Sequence, residues 1–186
     1  MKRIFDIIAA FVLLLTMSLP MFFLALLVKL TSQGPAFHWS DRVGRDNKIF
    51  KMPKFRTMRV DTPPIATHLM TKPEIFLTPA GAFLRKTSLD ELPQLFSILR
   101  GDMSFVGPRP ALFNQVDLIA LRTVKGIHHM VPGLTGWAQV NGRDDLSVPA
   151  KAEYDEFYLK HHSLAFDFKI LFITSLQAIA GKGVRH

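Results

Sequence analysis

The residues best suited to chemistry lie in Thr87-Ser88-Leu89-Asp90-Glu91-Leu92-Pro93-Gln94-Leu95, where two carboxylates stand side by side. The segment reads as the start of a helix whose apolar face is Leu92, Leu95, Phe96 and Leu99. Two uses follow from that. Ser88-x-x-Glu91 has capping-box spacing, in which the Ser88 hydroxyl accepts from the Glu91 N–H and the Glu91 side chain returns to the Ser88 N–H. The other use is catalytic. Carboxylates in a first helical turn face the positive end of the macrodipole, which lowers their pKa and keeps them ionised. Asp90 is then available as a nucleophile. Adjacent helical residues point about 100° apart, so Glu91 serves a different partner. Pro93 removes an early helix hydrogen bond and widens this turn.

Basic residues suited to phosphate lie in four other places. In Gly101-Asp102-Met103-Ser104-Phe105-Val106-Gly107-Pro108-Arg109-Pro110, flanking prolines stiffen the backbone that presents Arg109, and a guanidinium fork matches phosphate oxygens. Lys54-Phe55-Arg56 is strand-like, with Lys54 and Arg56 on one face. Arg85 and Lys86 come just before the acidic pair and offset its charge. Pro132-Gly133-Leu134-Thr135-Gly136-Trp137-Ala138-Gln139-Val140-Asn141-Gly142-Arg143 reads as a turn, a short strand and an Asn-Gly turn ending in another arginine. Each of these also has a bland reading as a solvated surface charge. A zinc site does not fit: His128-His129 and His161-His162 are adjacent pairs that cannot face one ion on regular structure, and the chain has no cysteine. A hard cation held by Asp90 or Glu91 together with substrate phosphates suits the available ligands better.

These residues need a scaffold, and 186 residues suffice for one domain with a real core. The formal net charge of +8 is unevenly placed. Residues 29–59 hold eight basic and two acidic side chains, directly after an uncharged run of 22 residues from Ile7 to Val28. Elsewhere charge usage is ordinary for a globular protein, which excludes a disordered chain and a polytopic transporter, and the lack of cysteine excludes a disulfide-stapled secreted module. As a helix, Ile7–Val28 is long enough to cross a hydrocarbon core of roughly 30 Å. Lys2 and Arg3 on one side and Lys29, Arg42 and Arg45 on the other both favour the cytoplasm. Pro20 has no N–H for the carbonyl of Thr16, so the helix should kink there, with the Thr16 and Ser18 hydroxyls available to the freed backbone groups. A span and a kinked helix that leaves by its entry face both remain open at this level.

Farther along, Ala36–Trp39 and Lys48–Arg56 read as short strands around a turn at Gly44-Arg45-Asp46-Asn47. Residues 60–74 read as a surface loop. Helices are expected over about 79–87, 88–99, 111–123, 149–161 and 166–180. The Gly- and Pro-rich stretches 100–110 and 131–145 are where chemistry is expected. The last helix is apolar yet short for a span, so it belongs either in the core or in a membrane interface.

Four segments taken in order, Lys54-Phe55-Arg56-Thr57-Met58, Thr87–Leu95, Gly101–Pro110 and Gly133–Arg143, resemble the bacterial sugar transferase family, the monotopic phosphoglycosyl transferases. The resemblance runs from the apolar helix to about residue 180, and the length looks like the family's minimal catalytic form. It implies transfer of a sugar-1-phosphate from a UDP-sugar to polyprenyl (undecaprenyl) phosphate with release of UMP, as the first membrane step of bacterial glycoconjugate biosynthesis. By the same resemblance Asp90 forms a covalent phosphosugar intermediate, Glu91 supports it, Mg2+ bridges Asp90 and the diphosphate, and Arg85 and Arg109 hold phosphates, with Lys54, Arg56, Asn141 and Arg143 as further binding residues. The expected fold is α+β and mainly helical: a kinked re-entrant membrane helix over 1–30, and a small cytoplasmic catalytic domain over 31–186 with short strands and interfacial amphipathic helices. Its expected place is the cytoplasmic face of the bacterial inner membrane. Two departures from the family pattern stand out, Ser18-Leu19-Pro20 in place of adjacent Ser and Pro, and Ser40 where Gln is common. The basic stretch after the apolar run fits a collar on anionic lipid rather than a nucleic-acid site. Exposed apolar helices offer a surface through which a homodimer can form in lipid.

Overall fold

A computed structural model describes residues 1–63, 73–142 and 145–179. The uncharged run becomes the centre of one continuous helix, α1 (Lys2–Thr31), with Pro20 inside it. The Thr16 hydroxyl donates to the carbonyls of Val12 and Leu13, and that of Ser18 to Leu15. All three bonds run toward the preceding turn, so neither hydroxyl serves the Thr16 carbonyl that Pro20 leaves unpaired. The helix ends at Ser32, in extended conformation, and the chain turns at Gly34 into a two-stranded antiparallel hairpin. Its strands are β1 (Phe37–Val43) and β2 (Ile49–Phe55), with His38 opposite Lys54 and Arg42 opposite Phe50.

Residues 64–72, within the expected surface loop, lie outside the described residues. Two short helices follow, α2 (Gly81–Lys86) and α3 (Gln94–Arg100). The single helix expected over 88–99 is broken, with a separate 3-10 turn at Leu89–Glu91. The break changes which side chains face inward: Leu95, Ser97 and Ile98 are buried, whereas Phe96 is 51% exposed. Gly101, at φ +97°, ends α3 in the left-handed conformation glycine adopts without a Cβ penalty, and its N–H reaches the carbonyls of Ser97 and Ile98.

The Gly- and Pro-rich stretches pair with one another. β3 (Ser104–Val106) runs parallel to β4 (Gly133–Thr135). A Cβ on Gly133 would lie 2.1 Å from the Gly107 nitrogen, and one on Gly136 2.1 Å from the Gly107 oxygen, so three glycines let these backbones touch. The remaining helices are α4 (Val116–Val124), the single turn α5 (Trp137–Val140), α6 (Val148–His161) and α7 (Leu164–Ile179). Ser147 caps α6 by accepting from the Ala150 N–H, with Pro149 in its first turn.

What organises the body is the first turn of α1. Arg3 donates to the carbonyls of Ile98 (2.5 Å) and Leu99 (2.7 Å), satisfying the last turn of α3. The buried Asp6 carboxylate accepts from the Phe105 N–H of β3 at 3.2 Å. Lys2 pairs with Asp167 of α7 at 2.5 Å, and the Tyr158 hydroxyl of α6 donates to the same carboxylate. Beyond that turn Ala10 is fully buried against α3, and Met21 and Val28 pack with Phe55 and Leu84. The opposite side of α1 is an exposed stripe at helical spacing, Ile4, Ile8, Phe11, Leu15, Leu19, Phe22, Leu26 and Leu30. Phe168, Phe172 and Leu176 of α7 continue it, joined by edge contact of Phe5 with Phe168 at 5.1 Å. α7 is thus core on one face, through buried Asp167 and Ile170, and exposed apolar surface on the other.

The α1–α3 contact leaves no room at Ala10. Ala10→Leu is therefore expected to lower stability by about 1–3 kcal/mol through overpacking. Phe11→Leu, on the exposed stripe, should change it by less than about 0.5 kcal/mol. Thermal unfolding of the detergent-solubilised protein separates the two.

Candidate active site

Asp90 and Glu91 are aimed by a backbone break. Ser88 sits at φ +56°, a left-handed conformation that costs a side-chain-bearing residue about 1–2 kcal/mol, and one 3-10 turn carries Leu89–Glu91 before Pro93 opens α3. The capping box expected from Ser88-x-x-Glu91 does not form. A box needs its first residue in extended conformation, and with Ser88 left-handed its hydroxyl makes no cap bond while the Glu91 carboxylate turns away.

Where it turns is decisive. Glu91 Oε1 accepts from Lys54 Nζ at 2.8 Å and from Arg109 Nη2 at 3.0 Å, which brings β2 and the Pro-Arg-Pro loop onto one oxygen. Asp90 is treated differently. Its Oδ2 stands 4.0 Å from Lys54 Nζ, and among the described residues nothing donates a hydrogen bond to it, although its side chain is only 10% exposed. Burial pushes the Asp90 carboxyl above the ordinary range, with neighbouring Glu91 adding to the rise, and Lys54, Arg85 and Arg109 oppose it. This reverses the direction expected from a helix dipole, because a single 3-10 turn has little dipole and desolvation dominates. Burial also pulls Lys54 below its usual range, against the pull of Glu91.

Arg85 completes the ring of cations. It projects from α2, its Nε donates to Thr57 Oγ1 at 3.0 Å, and its charge bears on Asp90. Lys54, Arg85 and Arg109 thus surround two carboxylates and leave a positive surplus, the setting for a polyanionic ligand. Arg56 goes elsewhere: β2 ends at Phe55, and the Arg56 guanidinium donates to the Pro35 carbonyl at 2.8 Å. Asn141 also serves the scaffold, its amide donating to the Trp137 carbonyl at the end of α5. Arg143 lies outside the described residues.

Two residues near the cluster were not assigned to the site from sequence. His38 stands opposite Lys54 in the hairpin, where burial and then Arg56, Lys54 and Arg42 hold its pKa below the usual value and keep the ring neutral. Arg42, four residues on along β1, donates to Ser40 Oγ and to the Pro110 carbonyl, both at 3.1 Å. The strand expected to end at Trp39 runs on to Val43, so alternation along β1 puts 38, 40 and 42 on one face, and the register places that face beside Lys54.

Among the described residues no group of three or more His, Cys, Asp or Glu side chains gathers around one point. A cation here has Asp90 as its uncommitted carboxylate and must take its other ligands from phosphate or water. That donor set suits Mg2+, which keeps few protein ligands when substrate phosphates are present.

A sequence profile of a family described as bacterial sugar transferase matches residues 1–181. The chain is 39% identical to an uncharacterized sugar transferase, EpsL, of Bacillus subtilis, over 100% of this chain and 91% of that protein. It is 39% identical to a UDP-glucose:undecaprenyl-phosphate glucose-1-phosphate transferase of Escherichia coli, over 98% of this chain and 41% of the relative. A third relative, 36% identical over 94% of this chain and 40% of its own length, is an undecaprenyl-phosphate galactose phosphotransferase of Salmonella typhimurium. The chain therefore spans nearly all of the first and about two-fifths of the other two.

The raised pKa of Asp90 has a stability consequence. Above the ordinary carboxylate range the unfolded chain has lost the Asp90 proton and the folded chain still holds it, so stability falls as pH rises through that window. Above that window the buried carboxylate is a net cost to the fold. With chelator present and no nucleotide, Asp90→Asn should raise stability at neutral pH by about 0.5–2 kcal/mol, as when a strained active-site group is removed. In acid, where both chains protonate Asp90, the advantage should vanish. Thermal unfolding of both proteins across pH checks it, and a neutral-pH loss on substitution would contradict it.

Proposed function

The chain belongs to the bacterial sugar transferase family, and on that premise we propose that it transfers a sugar-1-phosphate from a UDP-sugar to undecaprenyl phosphate, releasing UMP. One observation carries the reading. Of two adjacent carboxylates in a cationic pocket, Glu91 is bound by Lys54 and Arg109, while Asp90 is buried beside the same lysine and accepts no hydrogen bond from the described residues. A nucleophile has to keep its lone pairs uncommitted, and desolvation raises their reactivity.

In this reading an Asp90 oxygen attacks the phosphorus that bears the sugar. The new bond joins Asp90 to that phosphorus, the bond from the phosphorus to the bridging oxygen of UMP breaks, and UMP leaves with the electron pair. An oxygen of undecaprenyl phosphate then attacks the same phosphorus, and the Asp90–phosphorus bond breaks to restore the carboxylate. Arg109, Arg85 and Lys54 hold the donor's diphosphate oxygens and offset the repulsion between carboxylate and phosphate. Glu91 keeps Lys54 and Arg109 in place between substrates. Asp90, with the diphosphate, would hold Mg2+, which supplies further neutralisation of phosphate charge.

The membrane reading accompanies the chemical one. α1 enters the membrane and returns to the cytoplasmic face of the bacterial inner membrane. In support, Lys2, Arg3 and Asp6 at its start bond to α3, β3 and α7, and its end leads directly into β1, so both ends belong to one body. The freed Thr16 carbonyl before Pro20 is the weak point for bending, and the stripe from Ile4 to Leu30 with Phe168, Phe172 and Leu176 is the surface presented to lipid. The same arrangement brings a lipid-borne acceptor to a site that the basic 29–59 segment holds near anionic headgroups.

Asp90→Ala should lose at least ~10³-fold in turnover while Phe96→Leu loses little, as expected when a covalent nucleophile is removed. UMP is the expected nucleotide product, and intact-protein mass spectrometry with UDP-sugar and no acceptor should show a phosphosugar adduct on Asp90. Release of UDP would instead mean transfer of the sugar alone. Because the natural chain has no cysteine, Ile4→Cys and Ser32→Cys can be labelled singly in cells. Both should be shielded from an external reagent, and labelling of residue 4 from outside would exclude the re-entrant course.

A further inference from the structure

The loop that carries Arg109 has an unusual backbone economy. Pro108 and Pro110 bring no N–H, so between Gly107 and Ala111 the backbone is rich in acceptors, and four consecutive carbonyls are each met by a different donor. The Pro108 oxygen accepts from the Gly133 N–H at 3.0 Å and that of Ala111 from the Val43 N–H at 2.9 Å. The Pro110 oxygen accepts from the Arg42 guanidinium at 3.1 Å and the Arg109 oxygen from Arg122 Nη1 at 2.8 Å.

The last of these is the one with a supporting structure behind it. Arg122 lies on α4, and its Nε and Nη2 both donate to Asp155 Oδ2 of α6, at 2.9 and 2.6 Å. Asp155 is 1% exposed and the Arg122 side chain 11%, so the pair is held out of water. Burial pushes the Asp155 carboxyl up, and Arg122 is the main opposing charge. A buried ion pair of this kind is weak evidence for stability, since its desolvation cost is comparable to its attraction. What it fixes is geometry, because a planar guanidinium with two of its nitrogens held by one carboxylate oxygen has the direction of its third nitrogen set. That direction is the Arg109 carbonyl. A small open pocket bordered by Gly44, Pro108, Ala111, Arg122, Met130 and Pro132 lies against the loop.

We propose that Arg122 and Asp155 are positioning residues for the Arg109 guanidinium: they hold the Arg109 backbone where its side chain can bind the diphosphate of a nucleotide donor. Neither residue touches the substrate. Arg122 has all of its polar groups engaged within the protein, toward Asp155 and Arg109, and acts through Arg109 alone. The proposal rests on the sugar-phosphate transferase reading, and sets the position of one diphosphate-binding group within it.

A double-mutant cycle read by UDP binding to the full-length protein in detergent tests it, with Tm recorded alongside. Arg122→Lys keeps the charge opposite Asp155 but cannot reach both partners. It should weaken UDP binding about tenfold in the natural background and less than about twofold in the Arg109→Gln background, since contacts acting through one group are not additive. Its effect on Tm, by contrast, should be the same in both. Equal weakening in both backgrounds, or none in the natural one, overturns the proposal. Should Arg122→Lys fail to fold, Asp155→Asn, which retains an oxygen for Arg122 without the charge, runs through the same cycle with the same two outcomes. A natural protein that binds no UDP would sink the underlying reading instead, whereas UDP binding with an additive cycle sinks the positioning role alone.

Discussion

A carboxylate removed from water is tolerated only when cations and hydrogen bonds replace its hydration, and leaving one out costs several kcal/mol. Asp90 is such a group. Its neighbour Glu91 receives two charge-assisted hydrogen bonds, while Asp90 has only the longer-range field of Lys54, Arg85 and Arg109. These cations come from β2, from α2 and from the loop after β3, so three separate parts of the fold must be correctly placed before the acidic pair is bearable. Left-handed Ser88 and the isolated 3-10 turn are the local cost of aiming two adjacent carboxylates at different partners. The site is therefore strained and incompletely compensated, which is the condition under which a ligand carrying its own cation and phosphates binds well.

The placing of those three parts goes back to α1. Its first turn satisfies the end of α3 through Arg3, β3 through Asp6 and α7 through Lys2. The same helix that carries the exposed apolar stripe thus orders elements around the acidic turn. Lower along α1, Met21 and Val28 share a buried cluster with Leu84 and Phe55, neighbours of Arg85 and Lys54. The apolar helix and the scaffold of the acidic pair are consequently one packing unit. Withdrawing Met21 and Val28 from that cluster would disturb the cation ring directly.

Much of this was legible in the residues. The uncharged run from Ile7 to Val28, the hairpin around Gly44–Asn47 and the helices after residue 148 all follow from composition and periodicity, and the structure has each within a few residues. Asp90, Glu91 and Arg109 stood out because paired carboxylates and a proline-flanked arginine are rare local patterns. The misreadings at the acidic turn share one cause. The helix expected over 88–99, its capping box and its dipole-lowered carboxylates all assume that Ser88 is extended, and local sequence gives no warning of a left-handed serine. Arg56 and Asn141 were grouped with the site by residue type, yet their side chains go to the Pro35 and Trp137 carbonyls.

The amino-acid sequence by itself determined the family, the apolar helix with its basic collar and the identity of the acidic pair, because each is written in contiguous residues whose chemistry does not depend on distant contacts. Only the tertiary structure decided which of the two carboxylates is bound and which is left open, which way the Asp90 pKa moves, and that Arg122 and Asp155 stand behind Arg109. Those outcomes depend on burial and on pairings such as 54 with 91 and 122 with 155. Desolvation and charge contact are properties of what surrounds a group in space, and chain order carries little of that information across 33 or 37 residues.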